Sequence, residues 1–163
     1  TRRQRQMCIR DSLSDDEFVK IAAMHVEALN HALRDIDPAR VRVHICWGNY
    51  EGPHVCDIDM DKVFSTLMNT RARYVLFETS NPRHAHEWTV FRDRASEIPD
   101  DKVLVPGVVD TTTNFVEHPE LVAERIARFV GIVGAERVIA GSDCGSAPSP
   151  GLARLIRKLP MPS

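Results

Sequence analysis

A parallel α/β fold, one half of a (β/α)8 barrel, is predicted by two features of the chain: strand-like runs recur about every 30 residues, and metal-ligand side chains close them. The runs begin near residues 41, 73, 103 and 137. His44-Ile-Cys46 closes the first, Glu78 follows Leu76-Phe77 in the second, and Cys144 follows Gly141-Ser142-Asp143 in the fourth. In a parallel sheet such positions share one rim, which is where barrel enzymes carry their chemistry. No Gly-x-Gly-x-x-Gly follows the first strand, so the dinucleotide-binding alternative lacks its phosphate loop. A complete barrel takes about 250 residues, and four strands in 163 residues make half of one.

The elements follow in order. Ser14-Asp15-Asp16-Glu17 is a capping box, and Phe18, Ile21, Ala22, Val26, Leu29 and Leu33 recur at helical spacing, which predicts a helix over 14–36 ended by Asp37-Pro38. A strand over 41–46 leads into a Gly- and Pro-containing loop, a helix over 60–70 and a strand over 73–79. Residues 84–97 read as helix, 103–110 as a buried strand, 117–133 as a helix entered through His118-Pro119, and 137–143 as the fourth strand.

Composition sets the outer limits. With 43% apolar and 27% charged residues the chain is globular. A net charge of −2, with its one basic cluster at Arg2-Arg3-Gln4-Arg5, argues against nucleic-acid binding. No apolar stretch approaches the ~20 residues that span a bilayer, so no membrane partner is expected. Cysteines 8, 46, 56 and 144 do not form a small-domain disulfide framework, so the thiols are read as reduced and the protein as cytoplasmic.

The ligand types decide the metal. Imidazole, thiolate and carboxylate are what Zn²⁺ selects, so His44, Cys46, Glu78 and Cys144 are read as a zinc site, with Cys56 as a substitute from the loop. Zinc held by one His, two Cys and an exchangeable carboxylate is a thiol activator: a substrate sulfur replaces Glu78, ionises and attacks an alkyl carbon. The partners are then a small-molecule thiol acceptor and a methyl or alkyl donor. Asp110, closing the third strand, orients substrate or a ligand, or only caps the next turn. Trp47, Asn49, Asn81 and Arg83 are read as substrate contacts, and His54 as a catalytic group assisting proton transfer; His84 sits in the same rim loops. His25, His31 and His86 are read as solvent-facing or packing residues on helices. Two rival readings are a metal-free barrel of the uroporphyrinogen decarboxylase type, which His44, Cys46 and Cys144 oppose, and a zinc-stapled structural or binding domain with all four ligands closed.

From about Leu13 to Gly145 these motifs resemble the C-terminal catalytic barrel of cobalamin-independent methionine synthase and its relatives, which include epoxyalkane:coenzyme M transferase. The resemblance implies strands five to eight of a barrel of the uroporphyrinogen decarboxylase/methionine synthase type. It also implies zinc on the His-x-Cys, Glu and Asp-Cys-Gly motifs, which fall on His44, Cys46, Glu78 and Cys144. The run His44-Ile-Cys46-Trp47-Gly48-Asn49, with Gly52-Pro53-His54 downstream, is similar to the coenzyme M transferase-like branch. Thr112 stands where the folate-using members carry a histidine two residues after the aspartate matched by Asp110, which argues against a folate donor. The sequence is accordingly divided into an atypical segment 1–12, a partial catalytic barrel 13–145 and an atypical tail 146–163, as expected of a partial reading frame.

Overall fold

In the computed structural model, residues 13–48, 56–113 and 115–144 are described. The segments 1–12 and 146–163 lie outside them. Four parallel strands, β1 (Arg42–His44), β2 (Tyr74–Phe77), β3 (Val103–Val109) and β4 (Gly141–Ser142), lie side by side in chain order. Between them run α2 (Met60–Met68), α3 (Trp88–Asp93) and α4 (Pro119–Val133), and α1 (Asp15–Ala32) precedes the first strand. Parallel neighbours in sequential order with helical crossovers are the repeating unit of a (β/α)8 barrel, here four units long. No helix among the described residues is long and apolar enough to cross a membrane.

The register aligns the strand ends. Arg42 pairs with Tyr74 and His44 with Leu76, and Tyr74 pairs with Val103 and Phe77 with Pro106. Beyond β1 the ladder continues as Ile45 donates its N–H to the Leu76 carbonyl at 2.9 Å. Side chains in a strand alternate, so Val43, Val75 and Phe77 share the face toward the helices, whereas His44, Cys46 and Glu78 share the other. The helix-side core joins Val75, Phe77 and Leu104 to Met60, Phe64, Leu67, Phe91 and Phe129. Its centre is aromatic: Phe77 stacks on Phe91 at 4.3 Å, and Phe129 meets both edge-on at 5.6 and 5.5 Å. Such ring pairs add about 0.5–1.5 kcal/mol each beyond their buried area.

The helices begin as the sequence predicts. Ser14 accepts from the Glu17 N–H while Glu17 accepts from the Ser14 N–H, closing the capping box. His118 caps α4, with Pro119 in its first turn. Two expectations are corrected. The helix over 84–97 is broken into a 3-10 turn (Ala85–Glu87), α3 and a second 3-10 turn (Ala95–Glu97). Arg94, at the break with φ −113° and ψ 25°, turns its guanidinium to the Asp61 carbonyl (2.8 Å) and Ser65 Oγ (2.7 Å) of α2. The periodic face of α1 is also less covered than its pattern implies: none of its residues is buried, and only Phe18 and Val19 pack against the core.

Strand β3 carries Pro106-Gly107 in its middle, and its pairing with β4 is irregular between Gly107 and Val109. Proline interrupts the donor ladder, and the glycine makes room. A Cβ on Gly107 would lie 2.2 Å from Asp143 Oδ1 and 2.5 Å from Asp143 Cα. Gly107→Ala should therefore cost about 1–3 kcal/mol or more by forcing β3 and β4 apart. Gly131→Ala, in mid-helix where a Cβ meets nothing within 4 Å, should raise stability by up to about 1 kcal/mol. Urea denaturation midpoints of the two variants should move in opposite directions.

Candidate functional site

His44 and Cys46 sit on the same side of an extended segment because they are two residues apart. Glu78 is the first residue after β2, and Cys144 lies two residues after β4. These strand ends bring the four side chains together. The ligand atoms of His44, Cys46 and Cys144 all lie within 4.8 Å of one another. Cys144 Sγ is 2.8 Å from Cys46 Sγ and 3.8 Å from His44 Nε2, and it donates to Glu78 Oε1 at 2.9 Å. His44 and Cys46 are exposed, whereas Cys144 and Glu78 are buried. The cluster thus has an open side and a closed one. Gly48, at φ 117°, turns the chain after Cys46 so that its own N–H points back at Cys46 Sγ, 3.1 Å away. That backbone conformation favours glycine.

A second layer fixes these residues. The Asp143 carboxylate accepts three consecutive backbone N–H groups, from Thr79, Ser80 and Asn81, at 2.9, 2.9 and 2.7 Å. Thr79 Oγ1 and Ser80 Oγ both donate to the Gly107 carbonyl at 2.6 Å. Asn81 donates from Nδ2 to Glu78 Oε2 at 2.8 Å and to Asp143 Oδ2 at 3.2 Å. Its Oδ1 accepts the N–H groups of Arg83 and His84. Both amide hydrogens and both lone pairs of Asn81 are engaged. Asn81, expected from the sequence as a substrate contact, is fully buried in the structure and holds Glu78 with one oxygen facing Cys144.

Residues 20–152 match the family described as the catalytic domain of cobalamin-independent synthase. The chain belongs to that family. It is similar to the 2-hydroxypropyl-CoM lyase of Xanthobacter autotrophicus (strain ATCC BAA-1158 / Py2), at 24% identity over 143 residues that take in 74% of this chain and 38% of that protein. In fold it is similar to a B12-independent methionine synthase from Shewanella sp. W3-18-1, determined in complex with selenomethionine. The TM-score is 0.55 and the identity 20%, over 82% of this chain and 42% of that one. The chain spans about four tenths of the length of these relatives. The half-barrel and the family resemblance expected from the sequence both stand.

For this family member the electrostatics of the cluster are set by burial next to a carboxylate. Burial, and then its contact with Glu78, pushes the Cys46 thiol up, partly offset by Cys144 and the Gly48 N–H. Burial, with Cys46 and Glu78 beside it, pushes the Cys144 thiol well above its usual range. Burial also raises the Asp143 carboxyl, against the pull of the N–H groups of Thr79, Ser80 and Asn81. The donor set fits a divalent cation by its chemistry: one imidazole, two sulfurs and a carboxylate oxygen. Tetrahedral coordination with Zn–S near 2.3 Å and Zn–N near 2.0 Å puts ligand atoms about 3.3–3.8 Å apart. The two sulfurs would have to part by about 1 Å, within the reach of small side-chain rotations.

The other sequence-derived residues are distributed around this rim. Trp47 donates its indole N–H to the Ile58 carbonyl at 2.7 Å and stacks on His84. Asp110 Oδ1 accepts from the Thr112 N–H and hydroxyl, both at 2.8 Å, which is the turn-capping arrangement. Arg83 is half-buried beside Asn81. Cys56 is half-buried and is not among the three mutually close ligand residues found in the described part of the chain. Asn49 and His54 lie outside the described residues. The sequence reading missed Asp143 as the tie between strand ends, although it stands one residue before Cys144. It also missed Glu117, which accepts the Asp110 N–H and is paired to buried Arg125 at 2.5 Å.

Asn81→Ala strips donors from two buried carboxylates. It should cost about 2–3 kcal/mol and loosen Glu78 without removing any of the four clustered side chains. Denaturant titration should show the loss.

Proposed function

We propose that this chain is the zinc-holding part of an enzyme that transfers a methyl or other alkyl group to a small-molecule thiol. The observation that carries the reading is the convergence of His44, Cys46, Glu78 and Cys144 from three strand ends of one rim. The similarity to a 2-hydroxypropyl-CoM lyase favours a coenzyme M-type thiol over homocysteine, with zinc dependence and the transferred group part of the proposal. The rival of a metal-free decarboxylase-type barrel has no use for two sulfurs and an imidazole at one point.

Bound zinc would lower the pKa of a thiol brought to it and keep that sulfur nucleophilic at neutral pH. The residues of this chain divide the remaining work. His44, Cys46 and Cys144 form a three-point hold that a cation needs, because burial beside Glu78 keeps both thiols protonated until a positive charge offsets it. Glu78 is the exchangeable place. Its Oε2 is anchored by Asn81, so Oε1 can withdraw from the cluster while the side chain keeps one hydrogen bond. The buried side of the site, formed by Glu78, Asn81 and Asp143, excludes water behind the sulfurs, and the exposed His44 and Cys46 leave the approach for acceptor and donor. Trp47 supplies an apolar wall next to Cys46, Arg83 and Asp110 serve as substrate or proton-handling groups at the rim, and Asn49 and His54, outside the described residues, are assigned the same work from the sequence alone. Reduced thiols are required throughout, in keeping with a cytoplasmic setting.

A closed structural zinc differs from this in the role of Glu78. On our reading Glu78→Gln keeps most of the zinc and loses alkyl transfer, whereas Cys46→Ser or Cys144→Ser loses both. Metal content by elemental analysis, read beside product formation from an epoxide or methyl donor and a small thiol, separates the cases. Zinc lost from Glu78→Gln as fully as from Cys144→Ser, together with no transfer by the native sequence, would indicate a structural staple.

A further inference from the structure

Behind Trp47 lies a cluster of ionisable groups that the proposed reaction does not use. His84 is buried, and both of its ring nitrogens face carboxylates: Nδ1 is 2.9 Å from Glu87 Oε2, and Nε2 is 2.9 Å from Asp57 Oδ2. A neutral imidazole has one N–H and one lone pair, and the lone pair would then oppose a carboxylate. Two carboxylate partners on opposite nitrogens are satisfied by the imidazolium. The face of the ring is covered by Trp47, with centroids 4.2 Å apart and planes at 25°. Glu87 is itself tied down, accepting the Met60 N–H at the start of α2 with its other oxygen.

We propose that His84, held as an imidazolium between Asp57 and Glu87 and stacked on Trp47, is a positioning residue that sets the chain direction leaving Cys46 and makes that end of the site pH-dependent. The argument is one of connectivity. Trp47 follows Cys46 directly, and its indole N–H holds the Ile58 carbonyl. The chain therefore leaves the site at 47 and is fastened again at 57 and 58, through His84 and through Trp47. His84 also donates its backbone N–H to Asn81 Oδ1, the residue that anchors Glu78. The side chain thus braces Trp47, the neighbour of Cys46, while the backbone of the same residue is tied to Asn81, the anchor of Glu78. A flat cation on an indole face adds a cation–π attraction that a neutral ring lacks.

The charged groups facing the ring nitrogens are Asp57, on the segment before α2, and Glu87, in the 3-10 turn before α3, and Trp47 stacks on one face of the ring. Burial opposes the charge, but the hydrogen bonds and charges of Glu87 and Asp57 outweigh it and hold the pKa above the ordinary histidine value. A raised folded value means that the brace is fully present below the ordinary value. It is lost as the pH rises through the folded one. The site end at Cys46 should accordingly loosen on the alkaline side.

The inference rests on Cys46 being a ligand, and its test separates the two claims. The sequence has two tryptophans, so Trp88→Phe leaves Trp47 as the sole reporter. In the whole chain in that background, Trp47 fluorescence should be quenched at neutral pH by the stacked imidazolium and recover in a single transition centred above pH 6.5, the ordinary value. His84→Gln should abolish the transition. Asp57→Asn and Glu87→Gln should each lower its midpoint by about 1 unit, which a merely packed histidine would not show, and which serves even if His84→Gln does not fold. With Co²⁺ added, the sulfur-to-cobalt absorption should carry a component with the same midpoint, absent from His84→Gln. A flat fluorescence titration, a midpoint at or below 6.5, or a cobalt band identical in His84→Gln would overturn the proposal. If the native sequence takes up no Co²⁺ at all, the metal reading fails, and the fluorescence titration alone decides whether His84 is the brace.

Discussion

The arrangement depends on one buried carboxylate. Asp143 reaches across from the end of β4 and accepts the N–H groups of residues 79, 80 and 81 in succession. Those three groups follow the end of β2, where the chain has left the ladder and its donors have no strand partner. Backbone donors buried without acceptors cost about 1–3 kcal/mol each, so the contact satisfies a need on one side and a buried anion on the other. It also fixes distance. Because Asp143 precedes Cys144 and residues 79–81 follow Glu78, the same bonds that close the fold bring the Cys144 sulfur to the Glu78 carboxylate. The small residue at Gly107 is what allows Asp143 to pass over β3.

The price of this compactness is electrostatic. Asp143, Glu78 and two thiols crowd a partly buried corner beside the imidazole of His44. The structure answers by keeping the sulfurs protonated, with Cys144 donating to Glu78. On the proposed reading, a divalent cation held there would release protons from the sulfurs. On the same reading Glu78 is the exchangeable ligand, since its second oxygen is already held by Asn81.

Much of this was legible in the sequence, and the reasons are particular. His44-Ile-Cys46, Glu78 and Cys144 could be placed on one rim because each closes an apolar run and parallel strands align their ends. The start of α1 could be read because the capping box is local chemistry between Ser14 and Glu17. What could not be read is whatever depends on contacts distant along the chain. Asn81 looked like a rim residue open to substrate, because nothing nearby in sequence shows Asp143 and Glu78 meeting it. The helix over 84–97 looked continuous because its interruption at Arg94 is made by contacts with Asp61 and Ser65 of α2. For Asp110 the local signal, an aspartate followed by threonines, is visible in the structure as one carboxylate oxygen that caps that turn.

The central claim is that the four convergent side chains form a metal centre with one exchangeable oxygen. X-ray absorption at the zinc edge, on the zinc-loaded chain before and after a small thiol is added, tests it most directly. The account predicts two sulfurs, one nitrogen and one oxygen at first, and three sulfurs with the oxygen gone once the thiol binds. A ligand set with fewer than two sulfurs, or one that no thiol alters, would contradict it.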